Sequence, residues 1–398
     1  MKVKLLTRFG WIAAAILLLA GCEYSGPEAI WNPDADLGEI PLITRIDPPD
    51  SAGIGVGEIR IIGEGLGLSR DQTEIYFNHY RAQIKTFSPT EIVVWRPAVT
   101  GDDITIKVLV DGAYVMAKSP HYQIPAVYRD YGDILQKGVV VLLDVAADDN
   151  VYVMIRRDIY KVTPDETNYQ VGTQGFSGST SDIKIGPGGY LYMKKVNHAL
   201  VYRLDLSIED PAAEPEEFGT MARQASYIDF DAHGNLYGGG RQTGISVLKD
   251  GESRRVSNFQ DLDIRGLRVF DGYVYVFDNQ SNIWRARILD ADGNLDDKEP
   301  ELSWEDTGEY ATSTLSSFDF AADGTIYCGT DHANPIFMLY RDGTIEPLYP
   351  GILTPVAGKV VWSNHGDIFV NQTGRAGIPD LYLLRVNKEG APYYGRIL

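Results

Sequence analysis

Cysteine is almost absent from this chain: 398 residues hold two, Cys22 and Cys328. A disulfide framework is therefore excluded, and stability has to come from core burial. Positive charge is also scarce, with 36 Lys and Arg against 55 Asp and Glu and a formal charge of −19. Phosphate binding needs concentrated Lys and Arg, so the composition argues against nucleic acid as a partner. Only six histidines occur. His79 and His121 fall in an N-terminal strand-rich region, and His233 and His365 in repeated turns. His198 and His332 remain, too few for the three-ligand zinc sites of hydrolases unless carboxylates join them. Gly-x-Ser-x-Gly, Walker and Rossmann patterns are missing from useful contexts. The residues thus offer no catalytic set, no metal site and no cofactor site, and beyond residue 20 no apolar run is long enough to span a bilayer.

What is present begins with Lys2, Lys4 and Arg8, followed by an apolar stretch from Trp11 to Ala20. This reads as a secretory signal over residues 1–21, too short for a membrane-spanning helix. The quartet Leu19-Ala20-Gly21-Cys22 resembles a bacterial lipobox. That resemblance implies lipidation of Cys22 as the mature N-terminus and a membrane partnership through the attached lipid. Several acyl chains on one residue would make the anchoring stable. Loss of the three basic residues of the signal makes the remaining chain still more acidic. Residues 22–40, with Gly26, Pro27, Pro33, Asp34 and Asp36 and little periodicity, read as a flexible tether.

From Pro41 the texture changes to short alternating runs, including Glu58-Ile59-Arg60-Ile61-Ile62, Glu91-Ile92-Val93-Val94-Trp95 and Ile104-Thr105-Ile106-Lys107-Val108. Gly, Pro, Asp and Asn separate them, which predicts a β-sandwich over 41–125. The ordered landmarks Ile46-Asp47-Pro48-Pro49, Gly63-Glu64-Gly65-Leu66-Gly67, Ser88-Pro89-Thr90-Glu91-Ile92 and Arg96-Pro97 resemble the IPT/TIG family of immunoglobulin-like domains.

Residues 126–398 carry an internal repeat. Asp149-Asn150-Val151-Tyr152, Gly188-Gly189-Tyr190-Leu191-Tyr192, His233-Gly234-Asn235-Leu236-Tyr237, Asp271-Gly272-Tyr273-Val274-Tyr275, Asp323-Gly324-Thr325-Ile326-Tyr327 and His365-Gly366-Asp367-Ile368-Phe369 share one rhythm. Their final aromatics recur at blade-sized intervals. Each turn lies between an alternating apolar strand, such as Asp182-Ile183-Lys184-Ile185, and a second strand, with a third beyond it, such as Leu200-Val201-Tyr202-Arg203-Leu204. Strand, glycine turn, strand, polar loop, strand describes one blade of a β-propeller. The predicted fold class is all-β, an immunoglobulin-like sandwich plus a six-bladed propeller, and the rhythm resembles NHL propellers. Either 127–134 or 393–398 could close the ring.

The glycine turns sit where strands must reverse, and Gly or Asn supplies the positive φ of such hairpins, so they read as scaffold and not as calcium loops. The serial tyrosines read as packing between blades. Trp304, Trp362 and Tyr131 stand outside the repeat positions and are candidate sugar-stacking platforms, with core packing as the competing reading.

Irregular loops after each second strand should share the propeller's top face, where they can vary without disturbing the blades. Arg156, Lys195, Arg241, Asp278, Asp331 and Asn371 are the candidate ligand-binding residues there. Basic groups near a common channel in an acidic protein suit an anionic or hydroxyl-rich ligand. The expected function is a non-catalytic binding lipoprotein of the cell envelope, at the outer membrane and cell surface, with the sandwich as spacer and docking unit. The paired resemblances imply a likeness to surface lipoproteins of Bacteroidetes-type bacteria, which often handle glycans. The expected partner is a glycan or an outer-membrane protein. Two alternatives stay open: a pure protein-interaction scaffold, and a metal-dependent hydrolase or lactonase, for which Asp278, Asp331 and Asn371 could imitate part of a calcium set without the matching glutamate.

Overall fold

A computed structural model describes residues 38–256, 259–372 and 381–397. The N-terminal signal, Cys22 and most of the tether lie outside the described residues. Among those described, no helix is long and apolar enough to cross a membrane. The architecture is all-β, a two-sheet sandwich followed by a six-bladed propeller.

The sandwich has eight strands: β1 (Leu42–Asp47), β2 (Glu58–Glu64), β3 (Thr73–Phe77), β4 (Tyr80–Arg81), β5 (Ile84–Phe87), β6 (Glu91–Trp95), β7 (Gly101–Val110) and β8 (Ala117–Ile124). They form one sheet in the order β1-β2-β6-β5 and another in the order β4-β3-β7-β8. The alternation seen in the sequence becomes two facing apolar layers, since side chains on a strand point to opposite faces in turn. Ile59, Ile61, Ile92 and Val94 from the first sheet meet Ile75, Phe77, Ile106 and Val108 from the second, all fully buried.

Blades follow at 140–173, 180–220, 225–255, 264–302 and 315–347, each a four-stranded antiparallel sheet running outward in chain order. The sixth takes three strands from 357–385 and its outermost strand from β9 (Tyr128–Asp130), which pairs Tyr382↔Asp130 and Leu384↔Tyr128. The ring is therefore closed by the segment just after the sandwich. The C-terminal residues take no place in the sheets.

The repeated aromatics act as the sequence suggests. Tyr152, Tyr192, Tyr237, Tyr275, Tyr327 and Phe369 are all buried. Each fills the gap to the following blade: Tyr192 stands edge-on to Phe230 at 5.0 Å, Tyr327 to Trp362 at 5.1 Å, and Phe369 closes the circle against Tyr131 at 4.8 Å. In the hairpins, Gly234, Gly324 and Gly366 have φ of 77°, 87° and 84°, a region that side-chain-bearing residues avoid.

The sandwich docks on the face of the propeller that carries these hairpins, beneath blades 5 and 6. Lys85 bridges Glu58 of the sandwich and Glu346 of blade 5. The Tyr349 hydroxyl accepts the Gly55 N–H at 3.0 Å and donates to the Arg385 carbonyl at 2.8 Å. Gly55 cannot be larger, because a Cβ there would lie 2.9 Å from the Val386 carbonyl oxygen. The junction is organised by Arg96, which is 2% exposed and donates to the carbonyls of Ala52, Gly53, Val56 and Pro125. A buried guanidinium is tolerated only when its donors are satisfied, and here it fixes the loop before β2 and the connection into the propeller at once.

Arg96→Ala takes the guanidinium donor from these carbonyls, of which Gly53 alone keeps a backbone donor, the Val56 N–H. We expect a loss of about 1–3 kcal/mol in chemical denaturation, with new proteolytic cleavage near Pro125; an unchanged midpoint and digestion pattern would refute the clamp.

Candidate functional site

The propeller axis is built from the first strand of every blade. Directly opposite the six repeated aromatics these strands present Asp144, Lys184, Asp229, Arg268, Asp319 and Val361 in blade order. Acid and base alternate for five positions, and all five charged residues are at most 3% exposed. Arg268 donates to Asp229 and to Asp319, both at 2.8 Å, and Lys184 stands 3.6 Å from Asp229. Each Asp also accepts a backbone N–H from the next blade: Asp144 from Ile185, Asp229 from Val269 and Asp319 from Trp362.

The base missing from the sixth blade arrives from the C-terminus. Residues 390–397 turn back into the channel from the hairpin face, and Arg396 lies 3.8 Å from Asp144 while donating to the Trp362 carbonyl at 2.9 Å. Tyr393 occupies the axis. Its ring centre is 3.7 Å from the Arg268 guanidinium, 3.9 Å from that of Arg396 and 4.5 Å from the Lys184 ammonium, and its hydroxyl donates to Asp319. Gly395 passes so close to the wall that a Cβ would meet the Ile185 carbonyl oxygen at 2.3 Å. The tail is thus a fitted plug, and the channel is blind at this end.

Above the plug, nearer the start of the first strands, a cavity of about 250 Å³ opens toward the opposite face. Leu142, Leu267, Phe277, Phe318 and Val360 supply its apolar surface, and Tyr393 its floor. Its charges are already paired: Lys359 bonds Asp182 at 2.5 Å, and Arg265 bonds Asp263 at 2.9 Å. Burial pulls the Lys359 ammonium toward neutrality, but Asp182 and Asp144 outweigh it and hold its pKa above the ordinary lysine value. Asp182 accepts the Ile228 N–H at 3.0 Å, and Ser317 bonds both Gly358 and Val360, so these side chains also fasten neighbouring blades. Ser316 and Tyr227 line the same cavity, and neither hydroxyl has a side-chain hydrogen-bond partner among the described residues.

Of the six residues expected at the site, Asn371 alone lines this cavity. It is 1% exposed, accepts the Lys359 N–H and donates to the Val140 carbonyl at 2.9 Å, stapling blade 6 to blade 1. Arg156 and Arg241 are exposed, with Arg241 in a backbone bridge to Asp263. The Lys195 ammonium lies 5.4 Å from the Phe176 ring centre. Asp278 is buried in its own turn, accepting from Gln280, Asn282 and the Trp284 indole. Asp331 accepts the Thr314 N–H at 2.7 Å. No hydrogen bond or ion pair joins any two of the six. Asp278, Asp331 and Asn371, the partial calcium set, are each engaged locally, and among the described residues no three His, Cys, Asp or Glu side chains are grouped to hold a metal.

The suggested stacking platforms resolve as core. Trp304, Trp362 and Tyr131 are at most 4% exposed, and the Trp304 indole donates to the Ser313 carbonyl. The polar residues on the first strands lie outside the variable loops. A signal for them existed, since Asp182, Lys184, Asp229 and Asp319 interrupt strands whose hydrophobic neighbours mark them as innermost.

Comparison with known proteins supports the same architecture. Residues 41–124 match the IPT/TIG domain family. No curated protein sequence matches the chain. Among solved structures, a putative phosphatase from Bacteroides thetaiotaomicron is similar with a TM-score of 0.52 at 10% identity, over 87% of this chain and 97% of that one. A luciferin-regenerating enzyme gives 0.51 at 12% identity, over 66% of this chain and 97% of the other. An auxiliary nutrient binding protein from Bacteroides thetaiotaomicron gives 0.49 at 11% identity, over 88% and 99%. At such identities the first two likenesses are of fold alone.

The axial charges make a pH-dependent prediction. Burial alone would raise the Asp229 pKa, but Lys184, Arg268 and the Val269 N–H hold it below the ordinary carboxylate value. Its stabilisation is therefore present above the unfolded-state pKa of about 3.9 and is lost as pH falls through the lower folded value. Asp229→Asn should cost about 3–5 kcal/mol at pH 7 by leaving the buried Lys184 without a carboxylate and Arg268 with only Asp319, and the difference from wild type should shrink in melts run near pH 3. A gap that stays constant with pH would count against this assignment.

Proposed function

We propose that the protein is a non-catalytic binding lipoprotein of the cell envelope whose propeller cavity takes a neutral, hydroxyl-rich ligand, one sugar unit of a glycan. The observation that carries this reading is the chemistry of the blind cavity. Its cations already have carboxylate partners, whereas Ser316 and Tyr227, beside apolar walls, have no side-chain hydrogen-bond partner among the described residues. An anion would have to compete with Asp182 and Asp263 for these cations. A sugar ring can instead give hydrogen bonds to the hydroxyls and lay its C–H face on Leu142 or Phe318. A volume near 250 Å³ lies at the small end for ligand pockets, which favours a single ring over an extended chain inside the channel.

The reading also accounts for orientation. The mouth opens on the face away from the sandwich, and the described chain begins at Gly38, at the end of the sandwich remote from the propeller. An anchor at Cys22 would thus leave the mouth directed away from the membrane.

The test is a glycan array probed with the full chain, its Ser316→Phe variant and an Arg156→Ala/Arg241→Ala variant. Wild type should bind neutral glycans, Ser316→Phe should lose at least tenfold in affinity by filling the cavity, and the double arginine variant should bind like wild type. Failure of wild type to bind, or equal binding by Ser316→Phe, overturns the reading; loss in the arginine variant would move the site to the outer loops.

A further inference from the structure

The end of the sandwich remote from the propeller carries a second surface. Ile40, Leu42, Leu68, Val115 and Met116 are exposed there, Leu68 to 85%. They belong to three segments that converge: the Gly38 N–H bonds the Gly112 carbonyl at 3.0 Å, a Cβ on Gly65 would lie 3.2 Å from the Ile40 carbonyl oxygen, and the Asp111 N–H bonds the Gln72 carbonyl at 2.8 Å. Strand β2 runs between the two ends. Glu58 at its start reaches the Lys85 bridge to the propeller, and Glu64 at its finish pairs with Leu42 beside the apolar group. Scattered apolar side chains are ordinary on a protein surface, but a cluster on adjoining loop tips marks a contact.

We propose that this tip rests on the lipid bilayer, with Leu68 and Met116 in the interfacial layer, so that the sandwich stands on the membrane as a post. The proposal rests on the reading of Cys22 as a lipid anchor. Two observations choose the bilayer as occupant. The chain enters the described structure at Gly38, within this cluster, and Cys22 lies sixteen residues earlier. At about 3.3–3.6 Å per residue, an anchored Cys22 keeps the tip within roughly 55 Å of the membrane, and among the described residues no other exposed apolar cluster starts so near the anchor in the chain. The second is charge. Glu39, Glu64, Asp71 and Asp111 are exposed around the tip, and Arg70 is turned away to donate to the Ile84 carbonyl at 2.5 Å. The tip therefore fits a zwitterionic surface and is repelled by an anionic one. Apolar residues sunk to interfacial depth would hold the post upright, where a tether alone would let it swing.

The experiment uses full-length protein processed in a lipoprotein-exporting bacterium and reconstituted into phosphatidylcholine vesicles. An environment-sensitive dye is placed at Leu68→Cys or, as a control on the propeller, at Leu289→Cys, which is also exposed. Cys328 is fully buried and stays unlabelled. The position 68 dye should shift to the blue on vesicles and be quenched at least twofold by doxyl lipids, with the position 289 dye unchanged and the effect at 68 weaker on anionic vesicles. A Met116→Asp variant of unchanged melting temperature should lose at least half of the quenching at 68. Vesicle-bound protein with position 68 as wet as position 289 overturns the docking and leaves the anchor intact. Mass spectrometry showing an unmodified Cys22 overturns the anchor, and the docking with it.

Discussion

The propeller depends on what holds its six innermost strands around an axis where no ladder of backbone hydrogen bonds joins one blade to the next. Each blade is its own sheet. In this protein the link is ionic and directional: a carboxylate on every odd blade takes the backbone N–H of the following blade and the cation beside it. The arrangement is self-neutralising, which is the condition for burying so many charges. The sixth blade, with Val361 at the corresponding position, breaks the alternation, and the C-terminal tail restores it with Arg396. Ring closure and channel closure thus come from opposite ends of the propeller chain, β9 on the outside and the tail at the centre.

The same device shapes the cavity. Because the plug and the ring consume the axial charges, what remains facing the open end is a mixture of paired ions, hydroxyls and hydrocarbon. The blade-to-blade fasteners Asp182, Ser317 and Asn371 are also cavity wall. On the proposed reading, stability and recognition share side chains, and a wall fastened between blades before a ligand arrives lowers the ordering cost of binding. Arg96 performs the comparable service at the domain junction, where one buried guanidinium fixes the sandwich against the propeller.

Much of the fold was legible in the sequence. Hairpin turns, alternation and the recurrence of an aromatic at blade-sized intervals are local or periodic, and Tyr152 through Phe369 occupy the packing positions their repetition implied. The axial cavity was less legible. Loops that vary from blade to blade drew attention to Arg156, Lys195, Arg241, Asp278 and Asp331, yet Asp278 serves its own turn and Asp331 its neighbouring loop. Variation alone does not distinguish a binding loop from one free to differ. Trp304 and Trp362 looked exceptional because they departed from the repeat, and they depart from it to fill irregular gaps in the core.

The sequence by itself determined the strands, their grouping into a sandwich and six similar blades, and the residues that punctuate them, because each of these follows from backbone preference and side-chain alternation within a few residues. Only the tertiary structure decided which polar positions meet. Asp144, Asp229 and Asp319 lie in different blades and Arg396 at the far terminus, and their partnership exists only where six strands converge on one axis. That convergence depends on distances through space between segments far apart in the chain, and no local pattern encodes it.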